Sequence, residues 1–149
     1  MQFNWENIGI KTRVDKNVLY FFDPVRKRYL QVTPEEEVRQ WLIYYLRTEL
    51  EYPLAAIAVE KQITYLKRKK RFDILVYVDH HPMMLIECKA PDIELTQKTL
   101  NQIGQYNFIL KVPYLMVSNG KQHLVCKANL TEKSFLFLDA IPPYKSLSV

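Results

Sequence analysis

The period of the hydrophobic pattern changes several times along the chain, and each change marks an element. Val18–Phe22 (VLYFF) and Tyr29–Val32 (YLQV) flank DPVRKR and predict two short strands of an outlying hairpin or arm. From Thr33 the period becomes helical: Val38, Trp41, Leu42, Tyr45 and Leu46 form one stripe that ends near Tyr52-Pro53. Thr33 is placed to cap this helix and Pro34 to fill its first position, while Glu35, Glu36 and Glu37 fall in a first turn where the helix dipole favours anions. Ala55–Leu66, Phe72–Val78 and Pro82–Lys89 predict three strands, with KRKKR (67–71) as a turn and DHHP as a longer loop between them. A second helix is predicted from Thr96 to Lys111, then two strands, PYLMVS and HLVCKA, separated by the turn signal Asn119-Gly120.

This order of helix, three strands, helix and two strands predicts an α/β fold, a mixed β-sheet with a helix on each face. With no repeats, low-complexity tracts or linkers, the 149 residues read as one domain: an N-terminal arm (1–32), a core (33–126) and a C-terminal extension (127–149). An apolar content of 48% is enough to bury a core.

Composition narrows the function. A net charge of +5 leans toward a polyanionic partner such as nucleic acid. The three glycines, at 9, 104 and 120, leave no GxxxxGK[ST] or GxGxxG, which excludes an ATP-driven motor and a dinucleotide fold on this chain. The N-terminus lacks the basic start and apolar run of a secretion signal, and no apolar stretch reaches the roughly 18 residues that span a bilayer, so a soluble, cytoplasmic protein without membrane association is expected. Cys88 and Cys126 are then expected as buried free thiols. His80 and His81, without a third spaced ligand, read as turn residues.

The chemistry concentrates in RFDILVYVDHHPMMLIECKAP, residues 71 to 91. Asp73 opens one buried-strand pattern, and Glu87 and Lys89 close the next, where charge is costly. Along a strand Glu87 and Lys89 share a face, whereas Cys88 points the other way with Met84 and Ile86. If the two strands pair as an antiparallel hairpin, Asp73 and Glu87 meet at one end. Two carboxylates and the backbone carbonyl of Cys88 make a hard oxygen site suited to Mg²⁺, with Mn²⁺ able to substitute. Lys89 is placed to orient or deprotonate a water and offset charge at a phosphate, a recipe for phosphodiester hydrolysis. The competing explanation is an ion cluster kept for structure. KRKKR, Lys67 with Arg68, Lys69, Lys70 and Arg71, is either a solvated turn or a set of phosphate-backbone contacts. Glu60 is a charge inside a strand without an assigned role.

Asp73, thirteen intervening residues, then Glu87-Cys88-Lys89 resemble the catalytic signature of the PD-(D/E)XK nuclease superfamily, whose restriction-endonuclease-like core has the same α-β-β-β-α-β order. TPEEEVRQ, KRFDILVY, LIECKAP, NQIGQYN and PYLMVSNG, in that order, resemble the N-terminal nuclease domain of type I restriction enzyme R subunits, from about residue 24 to 126. The resemblance implies a metal-dependent deoxyribonuclease. Gln102 and Tyr106, at i and i+4 on one helix face, match the Q-x-x-x-Y element of some such nucleases and are expected to contact the scissile phosphate or its neighbour. Glu35, one turn before Val38 on the predicted stripe, is expected as the helix carboxylate, with Glu36 as the alternative. N-terminal capping explains either acid, and ordinary helix packing explains Gln102 and Tyr106. The resembled subunits continue into a helicase motor that these 149 residues lack, so a separate motor or specificity subunit is an expected partner beside DNA. A homodimer would cut both strands of a duplex with one centre per chain.

Overall fold

The computed structural model describes residues 7–148, except for the side chains of Tyr65, Tyr106, Phe108 and Ile109. The first six residues of the segment read as free of a secretion signal lie outside that description. Strands β1 (Thr12–Asp15), β2 (Val18–Asp23) and β3 (Arg28–Gln31) form a small antiparallel sheet, the arm. The TRVD of β1 is exposed throughout and gave no apolar signal. Helix α1 (Pro34–Thr48) starts as its sequence dictates: the Thr33 side chain accepts the Glu36 N–H at 3.1 Å, and Pro34 opens the first turn.

The main sheet runs in the order β4 (Ile57–Tyr65), β5 (Arg68–Val78), β6 (His81–Cys88), β7 (Tyr114–Ser118), β8 (His123–Asn129), β9 (Ser134–Leu138). β6 and β7 pair parallel across helix α2 (Gln97–Leu110), and the other neighbours pair antiparallel. On β6, Met84, Ile86 and Cys88 pack with Val38, Leu42 and Leu46 of α1, whereas Leu85 packs with Leu100 and Ile103 of α2. A helix therefore covers each face, which is why the central strands read as unbroken apolar runs. Each such side chain, fully buried, is worth about 1.5–3 kcal/mol, so the ends of β5 and β6 stand on a rigid base. After α2 the chain turns through Lys111 (φ +53°), and buried Asn107 clamps both backbone groups of Val112, at 2.8 and 2.9 Å, aiming β7 into the sheet.

The connections differ from the sequence expectation. KRKKR is not a turn: Arg68–Arg71 begin β5, and the chain reverses at Leu66-Lys67 (φ +46° and +64°) between paired Tyr65 and Arg68. DHHP likewise contracts to a two-residue reversal at Asp79-His80 (φ +47° and +66°) between Val78 and His81. Two left-handed residues match the twist of a hairpin but are usually Asn or Gly, so Leu-Lys carried no signal. The C-terminal extension continues the sheet as β9, and Ile141 and Leu147 join the core. A Cβ on Gly104 would stand 2.8 Å from the end of the Phe135 ring, so the glycine makes room for β9. Among the described residues no helix is long and apolar enough to cross a membrane, and both cysteines are free and buried.

Candidate active site

Asp73 sits where side-chain alternation along β5 fails. Ile74 and Val76 pack toward α1 and Leu75 toward α2, but Phe72 also packs toward α2. The break falls at Asp73, across from Glu60 of β4, which lies between the paired residues Val59 and Lys61 at φ +55°. That backbone costs a non-glycine residue about 1–2 kcal/mol, and strand irregularities of this kind re-aim side chains beside functional sites. Here both Asp73 oxygens are held: Oδ2 accepts the Cys88 backbone N–H at 2.8 Å and Oδ1 accepts from Arg39 at 2.7 Å.

The pKa of Glu87 is pushed up to about 7, by burial first and by the neighbouring Asp73 carboxyl next, against the pull of Lys70 and Lys89. Lys70 Nζ stands 3.5 Å from Glu87 Oε1. A cavity of about 50 Å³ is lined by Glu87, Lys89, Lys70, Thr99, Gln102 and Ile103, room for a few waters. The structure thus brings Asp73, Glu87, Lys89 and Gln102 to one end of the sheet, while the Tyr106 side chain lies outside the described residues. A larger cavity, about 640 Å³ between the arm and the second half of α1, contains none of these carboxylates.

A pH dependence follows from Glu87. Its value is raised in the fold from the ordinary 4.5 to about 7, so the protonated form stabilises the metal-free protein. That stabilisation, on the order of 2–3 kcal/mol, is complete below about pH 4.5 and is lost as pH rises through about 7. Thermal melts in a chelator between pH 5 and 8 should show this fall, and Glu87→Gln should flatten it. An equal slope in the variant would assign the proton elsewhere.

Of the two helix acids the sequence offered, Glu36 is the buried one, bonded to Arg26, Arg39 and Gln40, which places the stripe differently from the expectation. Glu35 is exposed, whereas Glu36 is 8% exposed. The aromatic rings of Trp41 and Tyr45 drew the predicted stripe one position off. They stack on each other at the flank, with His123 against Trp41, while Arg39, Leu42, Ile43 and Leu46 are buried.

Arg39 was missed. Its guanidinium binds Glu36 at 2.9 Å, Glu60 at 2.6 Å and Asp73 at 2.7 Å, tying two strands to the helix. Burial lowers the pKa of its guanidinium, but Glu36, Asp73, Cys88 and Glu60 together raise it by more, so it stays a cation. Arg26 of the arm binds both Asp23 and Glu36, and Gln40 bridges the same two acids, so an ionic chain runs from the arm to Asp73. The available signal was an arginine three residues after Glu36, inside an otherwise apolar stripe.

The five basic residues divide. Lys70 turns to Glu87 and Arg71 to Glu60 at 3.3 Å, whereas Lys67, Arg68 and Lys69 are exposed farther out on the hairpin. Among the described residues no three His, Cys, Asp or Glu side chains form a ligand cluster, so a cation here would have two carboxylates, Asp73 and Glu87, as its side-chain ligands. Two neighbouring carboxylates repel when both are ionised, and a hard divalent cation relieves that repulsion; the pair fits Mg²⁺ in this respect.

Comparison with known proteins agrees with the fold. A solved fragment assigned as the HsdR subunit of a type I restriction enzyme from Vibrio vulnificus YJ016 superposes with a TM-score of 0.58 at 19% identity, over 76% of this chain and 24% of that one. The chain therefore spans about a quarter of the length of that fragment. No curated protein matches it. Residues 34–142, from the start of α1 past β9, match the family described as "Type I restriction enzyme R protein N terminus (HSDR_N)". The protein belongs to that family of type I restriction enzyme R protein N-terminal domains.

Proposed function

We propose that the chain is a metal-dependent deoxyribonuclease domain that hydrolyses phosphodiester bonds. The carrying observation is geometric: Asp73 bonds the Cys88 backbone next to Glu87, and Glu87 lines one small cavity with Lys89 and Gln102. Asp73, Glu87 and the Cys88 carbonyl would hold Mg²⁺, or Mn²⁺ in its place, which when bound supplies a Lewis acid for a phosphoryl oxygen and acidifies water. The Arg39 guanidinium and the Cys88 N–H fix the Asp73 carboxylate for that role. Lys89 orients the attacking water and offsets phosphoryl charge; the water oxygen bonds phosphorus, one P–O ester bond breaks, and the leaving oxygen takes a proton. Gln102 holds the scissile phosphate or its neighbour from α2, and Glu36, in place of Glu35, is the supporting helix carboxylate. Tyr106 is assigned with Gln102 from the sequence motif alone. Lys67 to Arg71 hold the DNA backbone. Other subunits, a motor or specificity component among them, would load the substrate, and a homodimer would cut both strands; the cytoplasm is the proposed location.

A rival reading has one observation in its favour: both Asp73 oxygens already have partners in the fold. In it the domain binds nucleic acid or assembles without cutting. The discriminating experiment is cleavage of linear, circular, single-stranded and branched DNA in Mg²⁺ and in Mn²⁺. The wild type should cut, and Lys89→Ala should slow it by about 10²–10⁴-fold, the usual worth of a proton-handling group. A wild type that binds Mn²⁺ without cutting points to a missing motor. One that neither cuts nor binds Mn²⁺ favours the rival.

A further inference from the structure

The geometry points to the β4–β5 hairpin as an arm that enters the major groove of double-stranded DNA. This deepens the nuclease reading, on which it rests only for the cutting step. β6 pairs with β5 at residues 74–78, whereas β4 and β5 stay paired outward from Lys61 opposite Phe72 to Tyr65 opposite Arg68. Beyond Phe72 the sheet thus narrows to a two-stranded ribbon. It is about six residues long at about 3.3 Å each, or ~20 Å. Ile63, halfway along opposite Lys70, packs against the α2 core, so the stretch from Thr64 to Lys69 projects, about 10 Å, with Leu66 78% exposed at its tip.

Charge locates the partner. Residues 61–72 carry Lys61, Lys67, Arg68, Lys69, Lys70 and Arg71 and no acid, more positive charge than the whole chain's net +5. The rest of the molecule is slightly negative, so attraction for a polyanion resides on the ribbon. Successive side chains of a strand point to opposite faces, so Arg68 and Lys70 project from one face and Lys69 and Arg71 from the other. A ribbon cationic on both faces suits a slot with an anionic wall on each side. A single strand and a lipid surface each offer one. Backbones about 4.8 Å apart, with their side chains, fit a major groove about 12 Å wide and not a minor groove about 6 Å wide. The base of the ribbon leads to the acids, with Lys70 3.5 Å from Glu87 and Arg71 3.3 Å from Glu60, so a groove-bound duplex would bring one backbone toward Asp73 and Glu87.

The test is fluorescence anisotropy in a chelator, where nothing is cut, with a short duplex and a single strand of equal length. The wild type should prefer the duplex. The Arg68→Ala/Lys69→Ala variant should bind it more weakly, with the slope of log affinity against log salt shallower by about 0.9 for each phosphate no longer neutralised. The wild type alone should lose affinity for a duplex bearing bulky glucosyl groups in the major groove and keep it when a minor-groove ligand is bound, which guards against a variant that fails to fold. Equal affinity for single and double strands, or indifference to major-groove bulk, would overturn the proposal. Binding is read in a chelator and cutting in Mg²⁺, so failure of the nuclease reading and failure of the groove reading are separable.

Discussion

Replacing Arg39 by methionine should cost the fold about 3–5 kcal/mol, the usual result of removing one partner from a buried ion set and stranding the rest. The stranded groups are specific: Glu36 and Asp73 lose a charge-assisted donor, and Glu60 keeps a bond only to the more exposed Arg71. Urea unfolding followed by tryptophan fluorescence measures the loss. Arg39→Lys should recover only part of it, since an ammonium on a flexible stem cannot match a planar guanidinium that holds three carboxylates at once. A methionine variant as stable as the wild type would mean that the acids have adequate partners without Arg39, and the hub would lose its structural importance.

Asp73→Asn should lower DNA cleavage by about 10³-fold or more, the equivalent of the several kcal/mol that a metal ion contributes at a phosphoryl oxygen. The amide keeps the shape and one acceptor for the Cys88 N–H but surrenders the charge that a cation and Arg39 both use. The same variant should lose most of the thermal stabilisation that Mn²⁺ gives the wild type by binding the native state. Cleavage near the wild-type rate would remove Asp73 from the metal site and leave it as an anchor for Arg39.

The parts of this molecule that were legible in its sequence are those governed by local pattern. The cap at Thr33, the covered central strands and the charges closing β6 were visible because apolar runs make an isolated Glu87 or Lys89 conspicuous. Arg39 was hidden by its neighbours: Trp41 and Tyr45 outweighed it in the stripe, so the helix phase was misplaced and Glu35 was favoured over Glu36. Glu60 was unreadable for another reason. Its role depends on a left-handed backbone across from Asp73 and on a helix residue twenty-one positions earlier, neither of which a strand pattern encodes. The Leu66-Lys67 and Asp79-His80 reversals lack a Gly or Asn signal, so the basic run looked like a loop when it is most of one strand of a ribbon.

The central claim is that Asp73 and Glu87 together form a divalent-cation site. Calorimetric titration of Mn²⁺ into the metal-free protein at pH 6 and pH 8 tests it, with Glu87→Gln alongside. The account predicts one site on the wild type, tighter at pH 8 because the proton held by Glu87 near pH 7 must leave, and binding that is weak and nearly pH-independent in the variant. Equal Mn²⁺ affinity in wild type and variant at both pH values would contradict it.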